Sequence, residues 1–117
     1  MSLRDQILAV QDREIREVAV PEWGLTVWVS AMSARARDLW EAEIIERRKA
    51  GGAGIYDNMR ASLLARCIVD EQGQRVFGEN DVALLGEKSA AALDRLFSVA
   101  SELNGLSETD RKALAGN

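Results

Sequence analysis

No histidine occurs in the 117-residue chain. Its absence removes the commonest general base, the commonest metal ligand and any nucleophile paired with an imidazole. Cys67 is the one cysteine, so an intrachain disulfide is excluded. A structural zinc site would need more thiolate or imidazole ligands than the chain owns. Set among Leu63, Leu64 and Ile68, the thiol reads as a buried, inert core residue and not as a nucleophile. Long apolar runs are missing as well: none approaches the roughly 18 residues of a membrane-spanning helix. Arg4, Asp5 and Gln6 interrupt the N-terminus before the apolar region of a signal peptide can form. The expected compartment is the cytoplasm, with no membrane contact.

What is present is ordinary globular material. A hydrophobic fraction of 47% beside 29% charged residues predicts one folded domain over 1–117, with a single modest core. The net charge of −4 argues against a nucleic-acid partner, which would favour a basic face. Arg47-Arg48-Lys49 is the basic cluster. It closes a predicted helix, where cations complement the negative end of the helix dipole.

The pattern along the chain predicts a mostly α, α+β fold: a small bundle of about four to five helices with an N-terminal β-hairpin. A short helix is expected over Leu3–Val10. Ile15, Val18 and Val20, then Pro21-Glu22-Trp23-Gly24, then Leu25-Thr26-Val27-Trp28-Val29 read as two strands around a turn, within 14–30. Alternation puts Leu25, Val27 and Val29 on one face and Thr26 and Trp28 on the other. The helical part spans about 33–115. Ser33 is placed to cap a helix over Ala34–Lys49, with the apolar stripe Ala36, Leu39, Trp40, Ile44 and Ile45 at its edge. A third helix is expected over Tyr56–Val69 with Met59, Leu63 and Cys67 on one row. Asp70–Gly73 forms a turn, and Arg75-Val76-Phe77 either pairs with the residues before it or buries Phe77. Asn80 is expected to cap a short helical turn through Leu85 that Gly86 ends. The longest regular segment is Ser89–Asn104, with Leu93, Leu96, Phe97, Ala100 and Leu103 inward and Gly105 as its stop. Ser107 with Asp110 resembles a capping arrangement for a last helix over Glu108–Leu114.

Motifs with chemistry do not emerge. The glycine-rich stretch Ala50–Gly54 lacks the Lys-Ser/Thr that finishes a phosphate loop, and no strand leads into it. Asp70-Glu71-Gln72-Gly73 lacks the alternating acids and twelfth-position Glu of a calcium loop. Glu41, Glu43 and Glu46 suit solvated charge or i,i+4 pairing on a helix surface. The reading is therefore of a protein that is no enzyme, with no cofactor and no metal. Of the three tryptophans, Trp40 sits on an apolar stripe and reads as core. Trp28 points away from the hairpin's core face, and Trp23 stands in the turn itself, where it either folds back on the hairpin or meets a partner.

The run from Leu84-Leu85-Gly86 through Leu93-Asp94-Arg95-Leu96-Phe97 to Leu103-Asn104-Gly105-Leu106-Ser107 is the most informative stretch. With Val20-Pro21-Glu22-Trp23-Gly24, the helix start Ser33–Glu41 and the segment from Arg60 to Gly73, it resembles the small tail assembly chaperones of long-tailed bacteriophages. That resemblance implies a small, mainly helical, non-catalytic helper in the host cytoplasm. Such a helper coats the long tape measure protein while the tail tube polymerises, and is absent from the mature virion. It further implies self-association along one client, and a longer partner form of the chain made by programmed frameshifting. A small structural tail or head–tail connector subunit is the rival reading. A holdase needs exposed, adaptable apolar surface. The residues expected to supply it are Trp23, Thr26 and Trp28 of the hairpin, and Leu106 and Leu114 of the C-terminal segment.

Overall fold

The computed structural model describes residues 1–52 and 58–106. Helix α1 (Leu3–Ala9) is capped by Ser2, whose Oγ accepts the Asp5 amide at 3.1 Å. It buries none of its residues. The hairpin follows as expected: β1 (Ile15–Val20) and β2 (Leu25–Ser30) pair antiparallel from Ile15↔Ser30 to Val20↔Leu25. In the turn, the Trp23 amide donates to the Val20 carbonyl at 3.0 Å, and Gly24 takes a φ of +65° that side chains other than hydrogen disfavour. Val18, Val20, Val27 and Val29 share the face that packs on the helices.

Helix α2 (Ala34–Ala50) begins at Ser33, whose Oγ accepts the Ala36 amide at 3.1 Å, and ends with Arg47, Arg48 and Lys49 in its last turn. The predicted apolar stripe is narrower in the structure. Trp40 is buried and Ala36 and Ile44 pack partly on the core, but Leu39 and Ile45 stay exposed. The reason is that α2 meets the body chiefly along one line, against α3. Helix α3 (Met59–Cys67) is the centre of the molecule, with Met59, Leu63, Leu64 and Cys67 all buried and seven of its nine residues inaccessible. The residues expected to open this helix, 56 and 57, lie outside the described residues.

Two boundaries differ from the sequence pattern. The third helix does not run to Val69. It ends at Cys67, and Ile68–Val69 form β3, which adds to β2 through Trp28↔Val69 and Val29↔Ile68 in the order β1-β2-β3. Two β-branched residues beside an open strand edge gain a ladder and a buried position there, which outweighs the helical period. Both readings of Arg75–Phe77 hold at once, because Arg75 bridges to Val69 and Phe77 packs on the core. Asn80 is not the cap. It lies within a 3-10 turn, Glu79–Asp81, that starts at Gly78, whose amide donates to Asp81 Oδ2 at 2.8 Å. Helix α4 (Val82–Gly86) then includes Gly86 as its last residue.

Helix α5 (Ala90–Leu103) starts at Ser89, whose Oγ accepts the Ala92 amide at 3.3 Å. It buries Leu93, Leu96, Phe97 and Ala100 as the spacing predicts, with Leu103 partly buried. Gly105, at φ +64°, ends it. Two ion pairs tie the hairpin to α5: Glu22–Arg95 at 3.0 Å beside the turn, and Arg16–Glu102 at 2.7 Å further along. Glu41, Glu43 and Glu46 pair within α2, with Arg37, Arg47 and Lys49 in turn. Glu43 reaches further, to Arg66 of α3 at 3.1 Å, where the arginine side chain is only 9% exposed. The predicted last helix over Glu108–Leu114 falls outside the described residues.

Candidate functional site

The site is built where the sheet is left incomplete. β3 pairs with β2 only at Trp28 and Val29. The chain then turns away over Asp70–Gly73, held by the Gly73 amide on the Asp70 carbonyl at 2.9 Å and by the Asp70 carboxylate accepting the Gln72 and Gln74 amides at 2.9 Å each. That turn leaves the Leu25–Val27 half of β2 uncovered. On the far side, α4 and the segment carrying Val76 and Phe77 stand off from the strand. The space between is a groove of about 830 Å³.

Apolar side chains dominate its walls. Leu25 is 62% exposed, Val76 52% and Leu84 69%, values that leave these large side chains available to a partner. Trp23, Trp28 and Phe77 add aromatic surface, and Leu85 closes the core side. Both alternating sets of β2, Leu25 with Val27 and Thr26 with Trp28, line the groove. It therefore follows the edge of the strand and does not lie over one face of the sheet.

Polar groups stand at its rim. Glu71 and Lys88 line it, and neither has an ion-pair partner among the described residues. Glu22, in the turn next to Trp23, lies below the ordinary carboxylate range, first because of its hydrogen bond from Arg95 and then because of a backbone hydrogen bond. Cys67 lies outside the groove. Burial pushes its thiol up to about 11, against a smaller opposing effect of the hydrogen bond from Asn104, as an inert core cysteine requires. Among the described residues, no group of three or more Cys, Asp or Glu is arranged to hold a metal ion. No helix among them is long and apolar enough to cross a membrane.

Of the residues singled out in the sequence, Trp23, Thr26 and Trp28 come together in the groove. Trp23 packs partly on the core and also lines the groove. Leu106 does not join them, and packs against the core beyond the end of α5. Leu114 lies outside the described residues. The sequence reading missed Val76, Phe77 and Leu84 as site residues. Leu84 carried a usable signal, an apolar residue on a helix too short to bury both faces.

A family model described as phage tail assembly chaperone matches residues 2–114. No curated protein matches the chain. Among solved structures, one described as the structure of bacteriophage HK97 tail assembly chaperone superposes with a TM-score of 0.60. The match covers 90% of this chain and 96% of that one at 21% identity, a likeness of fold.

Proposed function

The chain belongs to the phage tail assembly chaperone family, a family with a non-enzymatic role, and on that premise we propose that it binds the tape measure protein and keeps it soluble while the tail tube polymerises. The observation that carries this reading is the groove along β2. It gathers Trp23, Trp28, Phe77 and the exposed Leu25, Val76 and Leu84 into one apolar surface. A client kept from aggregating needs such a surface and no chemistry. The net charge of −4 favours solubility of the loaded complex.

One domain over 1–117 performs this role in the host cytoplasm and is absent from the finished virion. Several copies coat one client, together with a longer frameshifted form where one is made. Self-association is supported by α1, whose Leu3, Ile7 and Leu8 are exposed with nothing packed over them among the described residues. Leu106 and Leu114 extend the client surface only if the C-terminal segment reaches the same client.

Co-expression with the tape measure protein encoded beside this chain, followed by affinity purification, tests the reading. The client is expected to become soluble and to co-purify with several copies of this chain, and Leu84→Asp and Trp28→Ala to lose it. A client that stays insoluble and alone overturns the proposal. Mass spectrometry of purified particles separates the rival: a structural subunit persists in virions, whereas a chaperone is missing.

A further inference from the structure

The hydrogen-bonding direction of β2 says how the groove holds its occupant. The Ala31 amide donates to the Glu14 carbonyl at 3.1 Å, which places that pair at a hydrogen-bonded position of the β1–β2 ladder. Along an antiparallel strand the direction alternates with a period of two. Val29, Val27 and Leu25 therefore turn their amides and carbonyls to β1, while Ser30, Trp28 and Thr26 turn theirs the other way. Trp28 is met there by Val69 of β3. The next residue in register, Glu71, would fall opposite Thr26, but the pairing stops at Val69 and the chain turns away, closed by the Gly73 amide on the Asp70 carbonyl at 2.9 Å. Thr26, next along the same edge, has no backbone partner on that side among the described residues. Thr26 lines the apolar groove, and the alternation turns its amide and carbonyl to that side.

We propose that the groove takes an extended segment of the client as an added β-strand, hydrogen-bonded to Thr26 in continuation of β3, and not as a docked helix. The proposal rests on the reading that the groove is the client site. An α-helix has its own backbone bonds satisfied along its length and offers nothing to the Thr26 amide. An extended segment supplies both a donor and an acceptor, lying about 4.8 Å from β2. Its side chains alternate, one set falling on the Leu25/Val27 side and the other on the Thr26/Trp28 side, and both sides are apolar. Glu71 and Lys88 give the site its charge preference. The Asp70 carboxylate is occupied by two amides, so Glu71 is the acid left to meet a basic residue of the segment, and Lys88 an acidic one. The favoured occupant is a short β-branched or aromatic stretch of the client flanked by charges of both signs.

The test uses overlapping synthetic peptides that tile the tape measure protein, bound to the whole chain. For a peptide that binds, N-methylation is expected to weaken it at one residue, the one whose amide meets the Thr26 carbonyl, and to be tolerated at that residue's two neighbours, whose amides point away from β2. Thr26→Pro removes one donor on the groove side and leaves the β1 ladder intact. It is expected to weaken binding roughly fivefold, the worth of one backbone hydrogen bond. The Thr26 amide is expected to exchange quickly in the free chain and slowly with peptide bound. If Leu84→Asp abolishes binding but Thr26→Pro and N-methylation change nothing, the strand mode is overturned and the groove stands. Should Leu84→Asp leave binding intact, the groove itself is the wrong site and both readings fall. Protection of the Thr26 amide that grows with protein concentration in the absence of peptide makes the occupant a second copy, and overturns the client assignment. Where Thr26→Pro fails to fold, N-methylation decides on the unaltered protein.

Discussion

Asn104 and Met32 are joined across 72 residues of chain: the side-chain carbonyl of Asn104 accepts the Met32 amide at 2.8 Å. The same carboxamide donates to the Ala100 carbonyl at 2.8 Å and lies 3.5 Å from the Cys67 sulfur, and the Asn104 backbone carbonyl accepts from Arg37 at 2.8 Å. One side chain thus closes the end of α5 onto the junction between β2 and α2. Ser33–Glu41 and Asn104–Ser107 looked like separate pieces of a family pattern in the sequence. In the fold Arg37 of the first bonds to Asn104 of the second.

Replacing Asn104 by Ala is expected to cost about 1–3 kcal/mol, because the partly buried Met32 amide loses its acceptor. Asn104→Asp keeps that acceptor and loses the donor to Ala100, so it is expected to fall between wild type and the alanine variant. Urea unfolding of the three proteins side by side decides the order. Equal stability of all three would remove Asn104 from its structural role.

Glu43 and Glu46 look alike in sequence and differ in depth. Glu43 holds Arg66, whose side chain is 9% exposed, and accepts from the Ser62 hydroxyl. Glu46 pairs with Lys49 in the open, at 75% and 71% exposure. Glu43→Ala is expected to destabilise by roughly 2–4 kcal/mol, since it leaves an almost buried guanidinium without its carboxylate. Glu46→Ala is expected to change stability by less than about 0.5 kcal/mol. Thermal melts of the two variants check the contrast, and similar losses would contradict it.

Cys67 makes the fold weaken in alkali. Its thiol ionises at 9.0 when free and at about 11 in the fold, where burial is the chief cause. The raised value means the stabilisation is complete below pH 9 and is lost as pH rises from 9 to about 11, because the unfolded chain sheds the proton first. The loss amounts to roughly 2–3 kcal/mol by the usual conversion. Cys67→Ala, despite the cavity it leaves, is expected to flatten that part of the pH profile. A disulfide-exchange reagent at neutral pH is expected to label the native thiol only at the rate of unfolding.

Glu22 shifts the other way. The hydrogen bond from Arg95 lowers its carboxyl, with a smaller contribution from the backbone. Its contribution to holding the turn against α5 is therefore present above the ordinary glutamate range and is lost as pH falls through the lowered value. In an NMR titration its side-chain carboxyl is expected to move at lower pH than that of a free glutamate, and Arg95→Ala to raise its midpoint. A midpoint indifferent to that change would break the assignment.

The hairpin, the burial of α3 and α5 and the cap at Ser33 were all legible from local pattern. Strand alternation, the 3.6-residue period and hydroxyl capping act between residues a few positions apart, so the sequence displays them directly. Half of the groove was legible for the same reason: Trp23, Thr26 and Trp28 follow from a turn and a strand face. Val76, Phe77 and Leu84 were not, because they join that surface only through the turn at Asp70–Gly73 and the placement of α4. The stripe on α2 failed at Leu39 and Ile45 because amphipathic spacing states which residues share a face, and not whether a neighbour covers it.

By itself, then, the sequence determined that this is a small helical domain with a hairpin, without imidazole chemistry or a disulfide, and its pattern pointed to the chaperone family. Those properties depend on composition and on near neighbours. The tertiary structure decided that Ile68–Val69 leave the helical pattern for the sheet, that β3 stops two residues in, and that Thr26, without a strand partner on that side among the described residues, lines an apolar groove. Each of these turns on a competition between a local helical period and a strand edge brought close by distant parts of the chain. Only the packed molecule holds both competitors at once.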